Sequence, residues 1–454
     1  MLTASIVLAA GHGKRMKSAL PKILHPLLGK PMILHSLSAV TSLSDLPPAI
    51  VIGHGADAVR QVIDQAMAGR VNFVLQAEQL GTGHAVRQVE PLLRGKCARV
   101  LVTFGDMPLL TESALRQVID LHQRSAAVVT LTSVVGDVPR GFGRVIRDDA
   151  GKVQAIVEEA VATPEQLKVR EYNISAWCFD ADWLWESLPK IQVSPKGEYY
   201  VTDLVAIAVA EGKMVEALRL DDPAEGLGIN NRVDLADCET AMRQRVNRHW
   251  MLEGVTFLDP ATTTVESDVT IGQDTVLLPG THLKGSTAIG ANCEIGPYTT
   301  LLDTTVGDHS IISYSVAEGA KIGNHVTMGP FCHLRKGAVL GDHVHLGNFG
   351  EVKDSVLHEG VKMGHFSYIG NADIGKNVNI GAGTITCNYD GQRKNSTEIG
   401  EETFIGSDTM LVAPLKIGKR ATTGAGSVVT HDVPDDTTVL GVPAQPRQRK
   451  ENCD

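Results

Sequence analysis

Ile399-Gly400-Glu401-Glu402-Thr403-Phe404-Ile405-Gly406-Ser407-Asp408-Thr409-Met410-Leu411-Val412-Ala413-Pro414-Leu415-Lys416-Ile417-Gly418 carries an Ile-Gly pair at its start, six residues on and eighteen residues on. The same beat recurs upstream at Ile271-Gly272, Ile289-Gly290, Ile295-Gly296, Ile322-Gly323, Leu340-Gly341, Leu346-Gly347, Ile374-Gly375 and Ile380-Gly381. Ile271 to Ile289 and Ile322 to Leu340 are again steps of eighteen, which is three hexads or one circuit of a triangular coil. A six-residue period held across this length marks a parallel β-helix, whose coils bury their aliphatics on one another. An irregular β-sandwich has no reason to keep that phase. Glycine is expected to turn the corners, because it takes positive φ without steric cost. Two stretches break the beat, around Leu357–Phe366 and Cys387–Thr397, and breaks in a solenoid map to loops on one face, often the binding face. His365 and Lys394 fall inside them.

Ahead of the coil, Cys238, Met242, Val246 and Trp250 recur every four residues among charged neighbours, the stripe of an amphipathic helix over 230–251. It reads as a rigid linker or, equally, as the last helix of a preceding domain. Before it, short apolar runs (Ser5–Ala10, Ala49–Ile52, Phe73–Leu75, Val100–Phe104) alternate with longer mixed segments, the rhythm of an α/β domain with a largely parallel, Rossmann-like sheet. The expected division is 1–229, a linker helix over 230–251, and 252–454. Each strand ends in a Gly or polar loop: Gly11-His12-Gly13, Gly53-His54-Gly55, Gln76–Gln79 and Gly105-Asp106. Ligands of open α/β sheets sit at such carboxyl ends.

The 454 residues fit two or three domains, and two is the starting point. A net charge of −10 without dense Lys/Arg stretches argues against a nucleic-acid groove and for small-molecule substrates. The seven cysteines are odd in number and scattered, without CxxC spacing, which reads as reduced cytosol. Met1–Ala10 is apolar, but its charges, Lys14 and Arg15, follow it, so a buried first strand explains it better than a signal peptide. No apolar run approaches the roughly 20 residues that span a bilayer.

Leu8-Ala9-Ala10-Gly11-His12-Gly13-Lys14-Arg15-Met16, followed by Leu20-Pro21-Lys22, is the sharpest motif of the first half. Met16 occupies the third Gly position of GxGxxG, so a nicotinamide reading falls away. A nucleoside triphosphate fits better: Gly11 and Gly13 let backbone N–H groups approach, while Arg15 and Lys22 neutralise phosphate. Alone, the motif could be a tight turn with two solvated cations. Gln76–His84 adds groups suited to a base edge, and Asp106 puts a carboxylate just beyond a buried strand, a plausible Mg²⁺ ligand.

Together these segments resemble the nucleotidyltransferases that activate sugar phosphates. With the repeats, the resemblance narrows to the bifunctional bacterial enzymes that acetylate glucosamine 1-phosphate and then uridylylate N-acetylglucosamine 1-phosphate, and it covers almost the whole chain. It implies a left-handed coil, UTP and acetyl-CoA as co-substrates, Mg²⁺ as cofactor, and a cytoplasmic homotrimer. It further implies that Arg15 and Lys22 serve the phosphates, that Leu8, Ala10, Gly11, Gly13, Gln76, Gly81, Thr82 and Phe104 line the nucleotide site, and that Asp106 and Asn230 hold Mg²⁺. Gly143, Glu158 and Asn173 would contact the sugar.

An amine attacking a thioester must lose a proton, so the coil should offer a base of near-neutral pKa, and histidine is the default. By the same resemblance, in Gly364-His365-Phe366-Ser367-Tyr368 that base is His365, oriented by Glu351. Arg335 and Lys353 would bind the sugar phosphate, Tyr368 and Asn379 the sugar, and Ala382, Asn388, Tyr389, Ser407 and Ala425 the acetyl-CoA. Cys387 reads as a bystander, since direct transfer needs no covalent relay. Four features depart from the pattern: Phe104 replaces a tyrosine, Ile174-Ser175 follows Asn173 in place of Thr-Gly, Ala160 replaces a lysine, and Leu440-Gly441 precedes Val442-Pro443 where an arginine is expected. Arg447 and Arg449 are the nearest substitutes for that arginine. Two other readings stay open: a single-function nucleotidyltransferase whose coil only assembles subunits, and a non-catalytic scaffold.

Overall fold

The computed structural model describes residues 2–136 and 141–446, except the side chains of Ala160 and Ser175. The expected substitutes Arg447 and Arg449 lie outside the described residues, as do those two side chains. The chain forms two compact units, Met1–Met242 and Arg243–Asp454.

In the first unit the strands order as Val215–Arg219, Val129–Val135, Glu171–Asp180, Arg99–Phe104, Thr3–Ala9, Ala49–Ile52 and Asn72–Leu75, with the hairpin Arg144–Arg147/Val153–Val157 branching from Glu171–Asp180. Thr3–Ala9 is buried along its whole length, as a central parallel strand covered on both faces must be. It runs parallel to Ala49–Ile52 and Arg99–Phe104, and Ala49–Ile52 runs parallel to Asn72–Leu75. Four adjacent strands therefore deliver their carboxyl ends to one edge of the sheet. Glu171–Asp180 is antiparallel to both its neighbours.

The helix Arg232–Leu252 carries the expected stripe, and the two units divide inside it. In the first unit Cys238 and Met242 are buried; in the second Val246 and Trp250 pack against the coil's core. Asn247, fully buried, donates from Nδ2 to the carbonyls of Pro260 and Thr263, both at 2.9 Å, fixing the helix to the first coil.

The second unit is a stack of three long sheets of two- to four-residue strands, parallel but for the last pair. On one sheet the buried ladder runs Ile271, Ile289, Val306, Ile322, Leu340, Leu357, Ile374, Ile399, Ile417. Coils are not uniform: Val306 to Ile322 takes sixteen residues and Leu340 to Leu357 seventeen. The break expected around Leu357–Phe366 is therefore a coil one residue short, with Leu357 paired on both sides. The break at Cys387–Thr397 is an insertion, stretching Ile374 to Ile399 to twenty-five residues and carrying a Tyr389–Lys394 antiparallel bridge.

The reason given for glycine at the corners needs correction. Gly272, Gly290, Gly307 and Gly323 do not have positive φ; that conformation falls two residues later, on Asp274, Asn292, His309 and His325. What excludes a side chain at these glycines is the next coil: a Cβ on Gly272 would lie 2.5 Å from the Ala291 nitrogen, and one on Gly323 2.8 Å from the Asp342 nitrogen.

Candidate functional site

The first-unit cavity, about 540 Å³, lies where the four strands end, a volume suited to a nucleotide. Leu8, Ala10, Gly11, Arg15, Lys22, Gln76, Gly81, Thr82, Phe104 and Asp106 all line it. Gly13 lies just behind, with φ +61, where a Cβ would sit 2.6 Å from the Lys22 Cβ; only glycine lets the loop close on that lysine. Lys22 Nζ forms an ion pair with Asp106 Oδ2. Arg15 Nη2 donates to Asn230 Oδ1 at 2.8 Å, and the Ile229 N–H donates to the Asp106 carbonyl at 3.0 Å. Residues some two hundred positions apart thus meet in one place.

Gln76 is buried and donates from Nε2 to the Gly81 carbonyl at 3.1 Å, bracing the loop whose Gly81 has φ +100. Thr82 Oγ1 accepts from the Val201 N–H at 2.9 Å, a bond that does not use its own hydroxyl proton. Phe104 packs edge-on against Trp177 at 5.6 Å, and the phenyl ring brings no hydroxyl to the cavity.

Gly143, Glu158 and Asn173 also come together. The Asn173 N–H donates to the Gly143 carbonyl at 2.9 Å, and a Cβ on Gly143 would lie 3.5 Å from Glu158 Oε1. Burial pushes the Glu158 carboxyl up, while a hydrogen bond from Thr202 Oγ1 (3.2 Å) works against that. Asn173 Oδ1 is buried with no partner among the described residues, an unmet acceptor of the kind a ligand hydroxyl satisfies. Ile174, next in sequence, is fully buried and belongs to the core.

The donor set fits a magnesium ion. Asp106 and Asn230 offer a carboxylate and an amide oxygen on segments joined by the Ile229 N–H to Asp106 carbonyl bond, and Mg²⁺ commonly takes only one or two oxygens from protein, completing its shell with phosphate and water. Among the described residues no group of three or more His, Cys, Asp or Glu is arranged to hold a metal.

On the coil, His365 occupies a corner between Lys362–Met363 and Ser367–Gly370. The corner stacks upward: the Gly383 N–H donates to the Phe366 carbonyl (2.7 Å), Asp408 to Ala382 (2.6 Å) and Gly426 to Ser407 (2.8 Å). His365, Ala382, Ser407 and Ala425 therefore follow one edge of the solenoid. Tyr368 stands on one strand that flanks this corner, and Asn379 on the strand stacked over the other, opposite Lys362. Space between Tyr368 and Asn388 is tight: a Cβ on Gly370 would lie 2.4 Å from the Tyr368 hydroxyl and 2.8 Å from Asn388 Nδ2. Asn388 Nδ2 donates to Asn371 Oδ1 at 2.7 Å, and the exposed Tyr389 donates to the Gly391 carbonyl at 2.8 Å.

One expected contact is absent. Glu351 Oε1 accepts from Arg335 Nη1 at 3.0 Å and does not reach His365, whose exposed imidazole has no partner among the described residues. The register accounts for it: Glu351 pairs with Tyr368 on one strand ladder, whereas His365 lies round the corner. Lys394, from the insertion, approaches Lys353, and together with Arg335 it holds the Lys353 ammonium below the usual lysine range. Three cations crowded this way invite an anion. Lys394 was singled out only by the broken rhythm, and its partnership with Lys353 had no sequence signal. His12, Lys14, Gln79 and Glu198 also line the first-unit cavity without having been assigned.

A nucleotidyl transferase family profile matches residues 4–237, a bacterial transferase hexapeptide profile (six repeats) matches 268–302, and a profile for the hexapeptide repeat of succinyl-transferase matches 397–431. The bifunctional protein GlmU of Exiguobacterium sibiricum is 45% identical over 433 residues, 95% of this chain and 96% of the relative. That of Heliobacterium modesticaldum is 45% identical over 449 residues, 99% and 97% of the two chains, and that of Streptococcus thermophilus 43% over 442, 97% and 95%. Likeness across both halves disfavours the single-function and scaffold readings. The chain belongs to the family of bifunctional GlmU proteins and is a transferase with a nucleotidyltransferase half and a hexapeptide acyltransferase half.

Proposed function

We propose that the coil transfers acetyl from acetyl-CoA to glucosamine 1-phosphate, and that the first unit then transfers uridylyl from UTP to N-acetylglucosamine 1-phosphate, releasing pyrophosphate. The observation that carries the reading is the meeting of Lys22 with Asp106 and of Arg15 with Asn230 at the strand ends. Arg15 and Lys22 neutralise the triphosphate, and Gln76, Gly81 and Thr82 frame the base. Gly143, Glu158 and Asn173 hold the sugar so that its phosphate oxygen faces the α-phosphorus. That oxygen is already anionic, so alignment and charge stabilisation suffice. Mg²⁺ at Asp106 and Asn230 supplies further charge neutralisation when bound.

In the coil, His365 removes the proton from the attacking amine, Arg335 and Lys353 hold the phosphate with Lys394 beside them, and Tyr368 and Asn379 position the sugar. Ala382, Asn388, Tyr389, Ser407 and Ala425 line the coenzyme's path. The protein works in the cytoplasm, in keeping with six described cysteines that form no disulfide with one another. Among the described residues no helix is long and apolar enough to cross a membrane.

The working form is a homotrimer, joined along a second corner feature. Tyr298, Tyr314, Phe331 and Phe349 occupy successive corners in the left-handed region, with ring centroids 5.4 to 5.8 Å apart, all exposed. Bulky residues rarely accept that conformation, and an exposed aromatic ladder adds nothing to the coil's own core. It advances one ring per coil, so another copy of the same coil matches it step for step. Purified protein given glucosamine 1-phosphate, acetyl-CoA, UTP and Mg²⁺ should release free thiol first and pyrophosphate only afterwards. Pyrophosphate release that does not depend on acetyl-CoA would overturn the proposed order.

A further inference from the structure

Two neighbouring parallel strands, Thr3–Ala9 and Ala49–Ile52, end in the same triplet, Gly11-His12-Gly13 and Gly53-His54-Gly55. The two loops are built alike. Gly13 and Gly55 have φ of +61 and +67, and each closes on one member of the pair Pro21-Lys22: a Cβ on Gly13 would lie 2.6 Å from Lys22 Cβ, and one on Gly55 2.6 Å from Pro21 Cγ. The His54 N–H donates to the Ala10 carbonyl at 3.3 Å, and a Cβ on Gly53 would lie 2.9 Å from that same oxygen. This packing brings the two imidazoles to a centroid distance of 5.1 Å, tilted by 47°.

His12 lines the cavity next to Lys14 and Arg15. The cations assigned to the phosphates are already engaged, Lys22 by Asp106 and Arg15 by Asn230. The His12 ring, by contrast, has no hydrogen-bond or ion-pair partner among the described residues; its one ring contact is His54. We infer that His12 is a binding residue for the terminal phosphates of the triphosphate, which become the leaving pyrophosphate, and that His54 is a positioning residue that sets the His12 ring. This rests on the proposed placement of UTP in the cavity. An imidazole N–H donated to a phosphate oxygen is a hydrogen bond to a charged group, and at an exposed position it is worth about tenfold in affinity.

The test uses the full-length protein with Mg²⁺, measuring KM for UTP in the forward direction and KM for inorganic pyrophosphate in the reverse. His12→Ala is expected to raise both about tenfold while leaving KM for N-acetylglucosamine 1-phosphate and the rate of acetyl transfer unchanged. His12→Gln, which keeps an N–H donor, recovers most of the loss. His54→Ala gives a smaller rise, and adding it to His12→Ala gives no further rise, because a positioning residue has nothing left to position. Unchanged KM values in His12→Ala, a fall in kcat alone, or additive effects in the double variant overturn the inference. Asp106→Ala is run alongside: if it keeps uridylyl transfer, the placement of UTP itself fails, an outcome separate from any result at His12.

Discussion

The two units build their sites in opposite ways. In the first, the charged groups answer one another: Lys22 holds Asp106, Arg15 holds Asn230, and Gln76 braces Gly81. In the coil, Glu351 answers Arg335, but Lys353 stands beside Lys394, the exposed His365 ring has no partner among the described residues and an aromatic ladder is exposed. An α/β sheet can fold distant loops over one cavity, whereas a solenoid contacts only its neighbouring coils and offers a surface. The first site is closed over by loops of its own unit; the second lies on an open surface.

The sharpest way to break this contrast is to disable each site alone. Asp106→Ala should lower UTP-dependent pyrophosphate release by about a thousandfold or more and leave acetyl transfer intact, since it removes charge stabilisation from one reaction only. His365→Ala should do the reverse, costing acetyl transfer about a hundred- to ten-thousandfold, the range for a general base. Loss of both activities from either substitution would mean that the sites are not independent.

Next in size is the ladder. Phe331→Asp puts a charge in the middle of the exposed aromatic row and should convert trimers to monomers at micromolar concentration in sedimentation. The coil should stay folded, because the Phe331 ring is exposed and takes no part in the core. Persistence of the trimer would move the subunit seam elsewhere.

A third difference concerns acid. His122, buried in the first unit against Thr130 Oγ1 at 3.0 Å, is held neutral, its pKa pushed down to about 4 by burial. A base with a lowered folded pKa takes up fewer protons folded than unfolded, so stability is lost as pH falls from 6.5 toward 4. By linkage that is about 3 kcal/mol between pH 7 and pH 4. His122→Gln, which keeps a donor for Thr130, should remove most of that acid dependence. Tryptophan fluorescence would report it, since Trp177, Trp183 and Trp185 all lie in the first unit. An undiminished acid dependence in the variant would assign it to other groups.

The coil was legible because its period is local: each hexad states its own place, and Ile271 pairs with Ile289 as eighteen-residue counting requires. The corner chemistry was less legible. Glycine after the aliphatic suggested a dihedral requirement, but the constraint is the backbone of the next coil, and the positive φ falls on Asn, Asp and His residues that look unremarkable in sequence. In the first unit the loops at strand ends could be read one by one. That Arg15 meets Asn230, or that His12 meets His54, could not be, because those encounters depend on strand order. The expected Glu351–His365 pair was implied by the family resemblance alone; the strand register sets Glu351 opposite Tyr368 and leaves His365 round the corner.

That missing pair supports the finest prediction. If Glu351 oriented His365, Glu351→Gln would lower kcat for acetyl transfer and shift its pH profile. The structure instead has Glu351 occupying Arg335, whose guanidinium is assigned to the sugar phosphate. Both side chains are about 40% exposed, at 42% and 39%, so the pair is worth at most about 1 kcal/mol. Freeing the arginine should therefore lower KM for glucosamine 1-phosphate about two- to fivefold, with kcat and its pH profile unmoved. A fall in kcat with a displaced acid limb would instead mean that the carboxylate reaches the imidazole once the substrates are bound, and that the coil, like the sheet, pairs its catalytic groups.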